Sequence, residues 1–287
     1  MAVSVEYQAW TSVNYNWLDK TTATSAPLQI NDKLDAWVAA VNANASNANK
    51  QITVERDPSN STSANFVGWV IKLASNSANA TTYAAFFTNT ASALTLGSYT
   101  SWTAGTANGG YGTLAGNSSV NVSSTFKTSG SSAEFLVATE TTDTEEFFCV
   151  AWKTDSTSVS SSSGCLLLFK DTAGEWVVLG ATAGSIYGSF YLPTHTTPTR
   201  QYGLFLPSIG VQNTSAGFLD PLILTIENST YLPAAGNAVT VISAPKSPYL
   251  LASKNTSAGF QFGRYATLPG PRTAVCMGYS PVFVSYA

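Results

Sequence analysis

The chain has 287 residues, of which 10% are charged, 44% hydrophobic and 12% aromatic, and its formal net charge is −3. That length builds one large domain or two ordinary ones, and the hydrophobic share excludes a disordered chain. The charged share lies far below the roughly one quarter of ordinary soluble domains, and Lys and Arg are scattered, which excludes the basic footprint of a nucleic-acid binder.

Residues 1–25 carry Val3, Val5, Tyr7, Trp10, Val13, Tyr15 and Trp17, mostly at odd positions with polar residues between. A period of two predicts an extended arm, which can join the chain's own sheet or grip a neighbouring subunit. Met1-Ala-Val-Ser-Val-Glu-Tyr7 lacks the basic and apolar regions of a secretory leader, so synthesis in the cytoplasm is expected. No apolar run approaches the roughly 18 residues of a spanning helix, and no membrane insertion is expected.

Ala26–Lys50 is the segment with a helical period. Ile30, Leu34, Trp37, Val38 and Val41 fall on one face of a helix over about 27–43. Ser25 before Pro27 is a start signal, and Asp32 and Asp35 are placed early, where the helix dipole favours acids. The run Asn42-Ala-Asn-Ala-Ser-Asn-Ala-Asn49 ends the pattern, because Asn and Ser compete for backbone hydrogen bonds.

Everything downstream reads as short strands. Gln51–Arg56, Phe66–Leu73, Thr82–Thr88 and Leu94–Trp102 come first. Asn108-Gly109 in the Gly-rich stretch 105–112 marks a tight turn, and Val120–Lys127 and Glu134–Thr141 follow. Phe147–Trp152 and the hairpin of Cys165–Phe169 with Glu175–Leu179 are the most apolar strands. The last six, Ser185–Leu192, Gln201–Leu206, Leu222–Glu227, Ala238–Ser243, Phe260–Thr267 and Thr273–Ser285, are punctuated by prolines. Such spacing predicts a mainly β fold, with β-sandwich or jelly-roll-like sheets and one N-terminal helix.

Two internal echoes bear on domain organisation. Asn213–Phe218 recurs identically as Asn255–Phe260. Laying Lys72 on Lys153 also matches Phe66–Lys72 to Phe147–Lys153 and Ala84–Phe87 to Cys165–Leu168. One reading is a duplicated β module: an arm at 1–25, helix plus first module at 26–130, second module at 131–287. The other is a single domain whose buried strands look alike.

No residue set reads as a catalytic site. His195 is the sole histidine and sits between prolines in a loop without a nucleophile elbow, and one histidine makes no histidine metal cluster. The acidic run Glu140, Asp143, Glu145 and Glu146 offers oxygen ligands for calcium, but without EF-hand spacing. Glu145 and Glu146, as neighbours, do not straddle a bond as glycosidase carboxylates do, so a solvated turn is the plainer expectation. The stretch 105–116 lacks the Gly-Lys-Ser/Thr of a phosphate loop. Cys149, Cys165 and Cys276 do not make a disulfide framework; Cys149 and Cys165 could face each other, and buried free thiols are expected. The Asn-x-Ser/Thr triplets, at Asn60 and Asn79 for example, are expected by chance in so Asn- and Ser-rich a chain. No cofactor and no metal is expected.

The aromatics are the most informative group. Trp69, Trp152 and Trp176 lie within strands and are expected in the core. Tyr7, Trp10, Tyr15, Trp17 and Trp102 lie in the arm or a polar loop, where they are candidates to anchor a subunit interface or to stack on sugar rings.

In stretches such as Asn42–Asn49, Ser156–Gly164 and Asn213–Phe218, the uncharged Ser/Thr/Asn/Gly/Ala texture resembles that of structural proteins of tailed-bacteriophage particles. The resemblance implies a non-enzymatic building block of the virion, in a tail, baseplate or fibre, with capsid decoration as an alternative. Its implied partners are copies of itself and other virion proteins. A second class of function is a receptor module that binds host-surface glycan.

Overall fold

The computed structural model describes residues 3–11, 26–57, 67–74, 81–89, 93–99, 101–104, 113–115, 124–125, 132–154, 163–172, 174–182, 185–190, 199–202, 219–221, 224–226, 240–253, 262–263, 265–268, 270–277 and 282–287. The chain starts with strand β1 (Val3–Thr11), helix α1 (Ala26–Ala43) and a single 3-10 turn (Ala45–Asn47). Next come β2 (Ile52–Arg56), β3 (Val67–Ala74), β4 (Thr81–Asn89), β5 (Ala93–Tyr99), β6 (Ser101–Thr103), β7 (Thr113–Ala115) and β8 (Ser124–Thr125). The middle holds β9 (Ser132–Glu140), β10 (Phe147–Thr154), β11 (Ser163–Lys170), β12 (Trp176–Thr182), β13 (Ser185–Phe190) and β14 (Thr199–Tyr202). The last third adds β15 (Leu219–Pro221), β16 (Leu224–Ile226), β17 (Thr240–Ser243), β18 (Leu250–Ser253), β19 (Tyr265–Thr267), β20 (Thr273–Cys276) and β21 (Val282–Tyr286).

The fold is mainly β with one α-helix among the described residues. Three antiparallel sheets carry it. The central one has seven strands in the order β1-β9-β10-β11-β12-β13-β14. A five-stranded sheet runs β2-β3-β4-β5-β8 and another β15-β18-β21-β20-β19.

Side-chain alternation shows how these layers stack. On β9 to β12, Phe135, Val137, Phe148, Val150, Trp152, Leu166, Leu168, Trp176 and Val178 pack with α1 and with Trp69, Ile71 and Leu73 of β3. The residues between them, Leu136, Ala138, Phe147, Cys149, Ala151, Cys165, Leu167, Phe169 and Val177, pack with Leu250, Val275, Val282 and Val284 of the C-terminal sheet. The central sheet therefore lies between two layers. Strands covered on both faces must be apolar at every position, which explains the near-continuous runs in β10 and β11.

Helix α1 docks by the stripe that its period predicted: Ile30, Leu34, Trp37 and Val41 are buried. Trp37 meets Trp176 edge-on at 5.7 Å and Phe148 at 5.5 Å between ring centroids. Its indole N–H, which burial would otherwise strand, donates to the Glu140 carbonyl at 2.9 Å. Asp32 and Asp35 stand beyond the first turn, which holds no acidic residue. Asn31 Nδ2 donates to Asp35 Oδ2 at 3.1 Å. Asn42 after them does more than end a pattern: its side-chain amide exchanges two hydrogen bonds with the backbone of Ile52, at 2.7 and 2.9 Å, as a ladder residue would.

The offset of 81 that matches β3 to β10 extends to the sheets. The order β2-β3-β4-β5 in one repeats as β9-β10-β11-β12 in the other, and their matching faces meet, with Trp69 edge-on to Phe148 at 6.4 Å. The echo at Asn213 and Asn255 lies outside the described residues.

Several strand expectations differ from the structure: Leu94–Trp102, for one, is split between β5 and β6, which belong to different sheets. Thr273–Ser285 is two strands, β20 and β21, paired with each other, because the chain turns back after Met277, whose N–H donates to the Val282 carbonyl. Leu250–Ser253 is a strand that Pro245 and Pro248 just before it concealed. None of the three cysteines forms a disulfide, and all three are buried. Cys149 and Cys165 lie on adjacent strands at diagonal register positions, and burial first, then the neighbouring Cys165 thiol, pushes the Cys149 thiol well above its usual range.

Truncating Trp152, which is fully buried between the two matching sheets, is expected to cost about 3–5 kcal/mol in the Trp152→Ala variant. The exposed Tyr265→Ser change is expected to stay within about 0.5 kcal/mol. Urea unfolding of both variants checks the contrast.

Candidate functional site

Two places in the described chain concentrate polar chemistry, one buried and one exposed. The buried one sits where the 3-10 turn meets the ends of β9 to β12. Turns from both halves of the chain bring Asn44, Ser46, Asn47 and Lys50 against Glu146, Lys170 and Glu175.

At its centre Lys170 Nζ faces Glu146 Oε2 at 3.3 Å, both side chains being almost fully buried. Glu146 Oε1 accepts hydrogen bonds from Asn44 Nδ2 at 2.8 Å and Asn47 Nδ2 at 2.9 Å. Lys170 donates to Ser46 Oγ at 3.0 Å, and the Ser46 hydroxyl in turn donates to Asp143. A second pair, Lys50 with Glu175 at 3.1 Å, is tied to the Gly174 carbonyl at 2.7 Å. The Lys170 ammonium also lies 5.6 Å from the Trp176 ring centroid, within cation–π range. Burial pulls the Lys170 ammonium below its usual range, with Glu146 opposing the shift. Burial likewise raises the Glu140 carboxyl, against a hydrogen bond from Thr142.

The acidic run is thus not the solvated turn expected of it: Glu140 and Glu146 are both buried. Solvation was the natural expectation for a charge run, and it failed because Glu146 finds its cation and amides at distant positions. Asp143 and Thr142 stay exposed. Thr144 adopts a φ of 75°, a conformation rare for β-branched residues, to close the turn in which Glu145 N donates to the Thr142 carbonyl at 3.0 Å. Among the described residues no group of three or more His, Cys, Asp or Glu is placed to hold a metal ion. His195 lies outside the described residues. With the Glu146 carboxylate held by Lys170, Asn44 and Asn47 of its own fold, the cluster's chemistry is a clasp joining the helix end to the central sheet.

The exposed place is the outer strand of the central sheet. β1 pairs with β9 over nine residues without a register shift, from Val3↔Glu140 to Thr11↔Ser132. The arm therefore joins its own sheet as far as Thr11. Val3 and Val5 point into the layer shared with the C-terminal sheet, while Glu6 on the opposite face pairs with Lys33 of α1 at 2.8 Å.

Tyr7 is 54% exposed and Tyr265 of β19 is 61% exposed. The Tyr7 hydroxyl is hydrogen-bonded to Glu134, and burial first, then Glu134, raises its pKa. Tyr265 is hydrogen-bonded to Tyr286, whose hydroxyl burial pushes up first and Tyr265 second. Of the interface candidates, Tyr7 is on this surface, and the backbone of Trp10 stands opposite Ala133 in the same ladder. Trp102 is half-buried in β6, paired with Leu114 of β7. Tyr15 and Trp17 lie outside the described residues. Tyr265 and Tyr286 had no signal in the sequence, since only the folding of β19 and β21 brings them to β1.

Comparisons of the chain with protein-family models, with curated proteins and with solved structures found no match.

Replacing Lys170 by Met leaves Glu146 buried without its cation, and a loss of about 3–5 kcal/mol is expected. Urea titration of Lys170→Met reads it, and Glu146→Leu added to that variant is expected to restore part. A folded-state carboxyl raised by burial binds its proton more tightly than the unfolded chain does. Glu140 therefore weakens the fold above its folded pKa and ceases to do so below its unfolded one. Relative to Glu140→Gln, the unaltered chain is expected to gain stability as pH falls through that window, as read from urea midpoints between neutral and mildly acid pH.

Proposed function

We propose that the chain is a non-enzymatic structural component of a bacteriophage particle, acting in a tail, baseplate or fibre through contacts with copies of itself and with other virion proteins. The observation that carries this reading is the outer edge of the central sheet, a nine-residue strand with one ladder partner among the described residues. A strand in that position presents unpaired backbone donors and acceptors, which form a template for another chain. The charge-poor composition supports it, because neutral hydroxyls and amides lose water at lower cost than charges do, so large contacts form readily. The polar clasp and the fully buried tryptophans supply the rigid body that such contacts need. A capsid decoration role uses the same surface in a different place.

A second reading, recognition of host-surface glycan, is favoured by the juxtaposed Tyr7 and Tyr265 with Glu134 beside them. Exposed rings can stack on sugar faces while a carboxylate accepts hydroxyl protons.

Particles purified from a host that produces the chain are expected to contain it in many copies by mass spectrometry. The isolated chain is expected to associate as its concentration rises, by light scattering. A chain found only outside particles and monomeric at high concentration overturns the assembly reading, and glycan-array binding lost in Tyr7→Ala would replace it with the second.

A further inference from the structure

We propose that the buried clasp becomes covalent: the folded chain forms an amide bond between the Lys170 amine and the Asn47 side chain, with Glu146 as its acid–base group. The link lies within one copy and is independent of the assembly reading.

For an amine to displace ammonia from a carboxamide, the amine must lose a proton, the leaving nitrogen must gain one, and water must be kept away. Lys170 Nζ lies 3.3 Å from Glu146 Oε2, while Asn47 Nδ2 donates to the other oxygen, Oε1, at 2.9 Å. One carboxylate thus touches both the attacking nitrogen and the leaving one. Ser46, the residue before Asn47, accepts a hydrogen bond from Lys170 Nζ at 3.0 Å and so holds the amine beside its target, where proximity replaces a chance encounter. Burial already loosens the hold of Lys170 on its proton, because a low dielectric disfavours the charged form. Asn47, Glu146 and Lys170 are all buried, which keeps water from competing. The Asn47 Nδ2 is anchored a second time, on the Val41 carbonyl at 2.8 Å. Its Oδ1 is buried with no hydrogen-bond partner among the described residues, which is rare for an amide that only supports a fold. Asn44, the other amide on Glu146, is half-buried and open to water.

The step balances without any co-reactant. Glu146 takes one proton from the Lys170 ammonium at Oε2. The neutral Nζ attacks Asn47 Cγ, a C–N bond forms, and the carbonyl electron pair moves onto Oδ1. When that pair returns, the Cγ–Nδ2 bond breaks and its electrons leave with Nδ2, which gains a proton through Glu146 and departs as ammonia. Of the three Nζ protons, one stays on the new amide, one leaves with the ammonia and one remains on Glu146. A buried ion pair gives way to two neutral groups, which removes the cost of keeping both charges out of water.

Peptide mapping of the full, folded chain by mass spectrometry tests the link. Trypsin does not cut after an acylated lysine, so the segment 154–200 is expected to stay whole and joined to 34–50. The joined product is expected to weigh one ammonia less than its two parts, with fragmentation placing the bond between Lys170 and Asn47. Glu146→Gln, shown folded by circular dichroism, is expected to release the two segments separately, because glutamine cannot carry the proton. A folded wild-type chain that yields the segments unjoined overturns the proposal and leaves an ordinary buried ion pair. A bond placed on Asn44 overturns the assignment to Asn47, and a folded Glu146→Gln that still forms the link overturns the role of Glu146. Should that variant fail to fold, the wild-type map alone decides.

Discussion

Because the seven-stranded sheet is covered on both faces, the strands crossing its middle carry apolar side chains in both directions, and the remaining layers are organised by what those side chains demand. One set faces the helix and the β2 to β5 meander; the other faces the C-terminal sheet. Hydrophobic burial of this kind has no directional preference, so direction has to come from elsewhere. Trp37 and Trp176 supply part of it: each is deeply buried, and each indole N–H reaches one backbone carbonyl, of Glu140 and of Lys50. A shifted helix would leave both donors unpaired, at the cost that attends any buried polar group without a partner.

The ion pairs complete the same alignment at the end of the sheet. Lys170 and Glu146 stand at the ends of β11 and β10, where the strand pattern would otherwise run out into water. Burying them is expensive unless their remaining hydrogen-bonding positions are filled. Asn44 and Asn47 and the Ser46 hydroxyl do much of that, so the loop after α1 can occupy only one position. The backbone follows: Lys170 N donates to the Glu146 carbonyl, and the Lys170 carbonyl receives the N–H of Lys246 from the segment that leads into β18. A single residue thus ties the helix end and the approach to the third sheet to the central one.

Local patterns were legible in the sequence, and long-range pairings were not. Helix α1 could be read because Ile30, Leu34, Trp37, Val38 and Val41 repeat at the helical period. The core tryptophans could be read because they sit inside strands. The layering could not: an uninterrupted run such as Phe147–Trp152 says that both faces are covered but not by what. The acidic run misled for the same reason. Glu146 is 99 residues from Asn47 and 102 from Asn44, and nothing local distinguishes a glutamate that will find buried partners from one left in solvent. At the edge, the alternating arm was visible as far as Tyr7 and Trp10, while Tyr265 and Tyr286 joined it only through the third layer. Prolines hid β18 because they mark turns more strongly than a four-residue strand marks itself.

The sealed thiols turn the stack into its own gauge. Cys149 and Cys165 lie on the face of the central sheet that the C-terminal layer covers, whereas Cys276 packs on the other face of that layer, with Leu251 and Phe283. A bulky alkylating reagent has no route to Cys149 and Cys165 while the two layers stay together. The speed at which those two thiols take up such a label therefore clocks how often the layers part, and comparing them with Cys276 tells whether the C-terminal layer also opens on its other side.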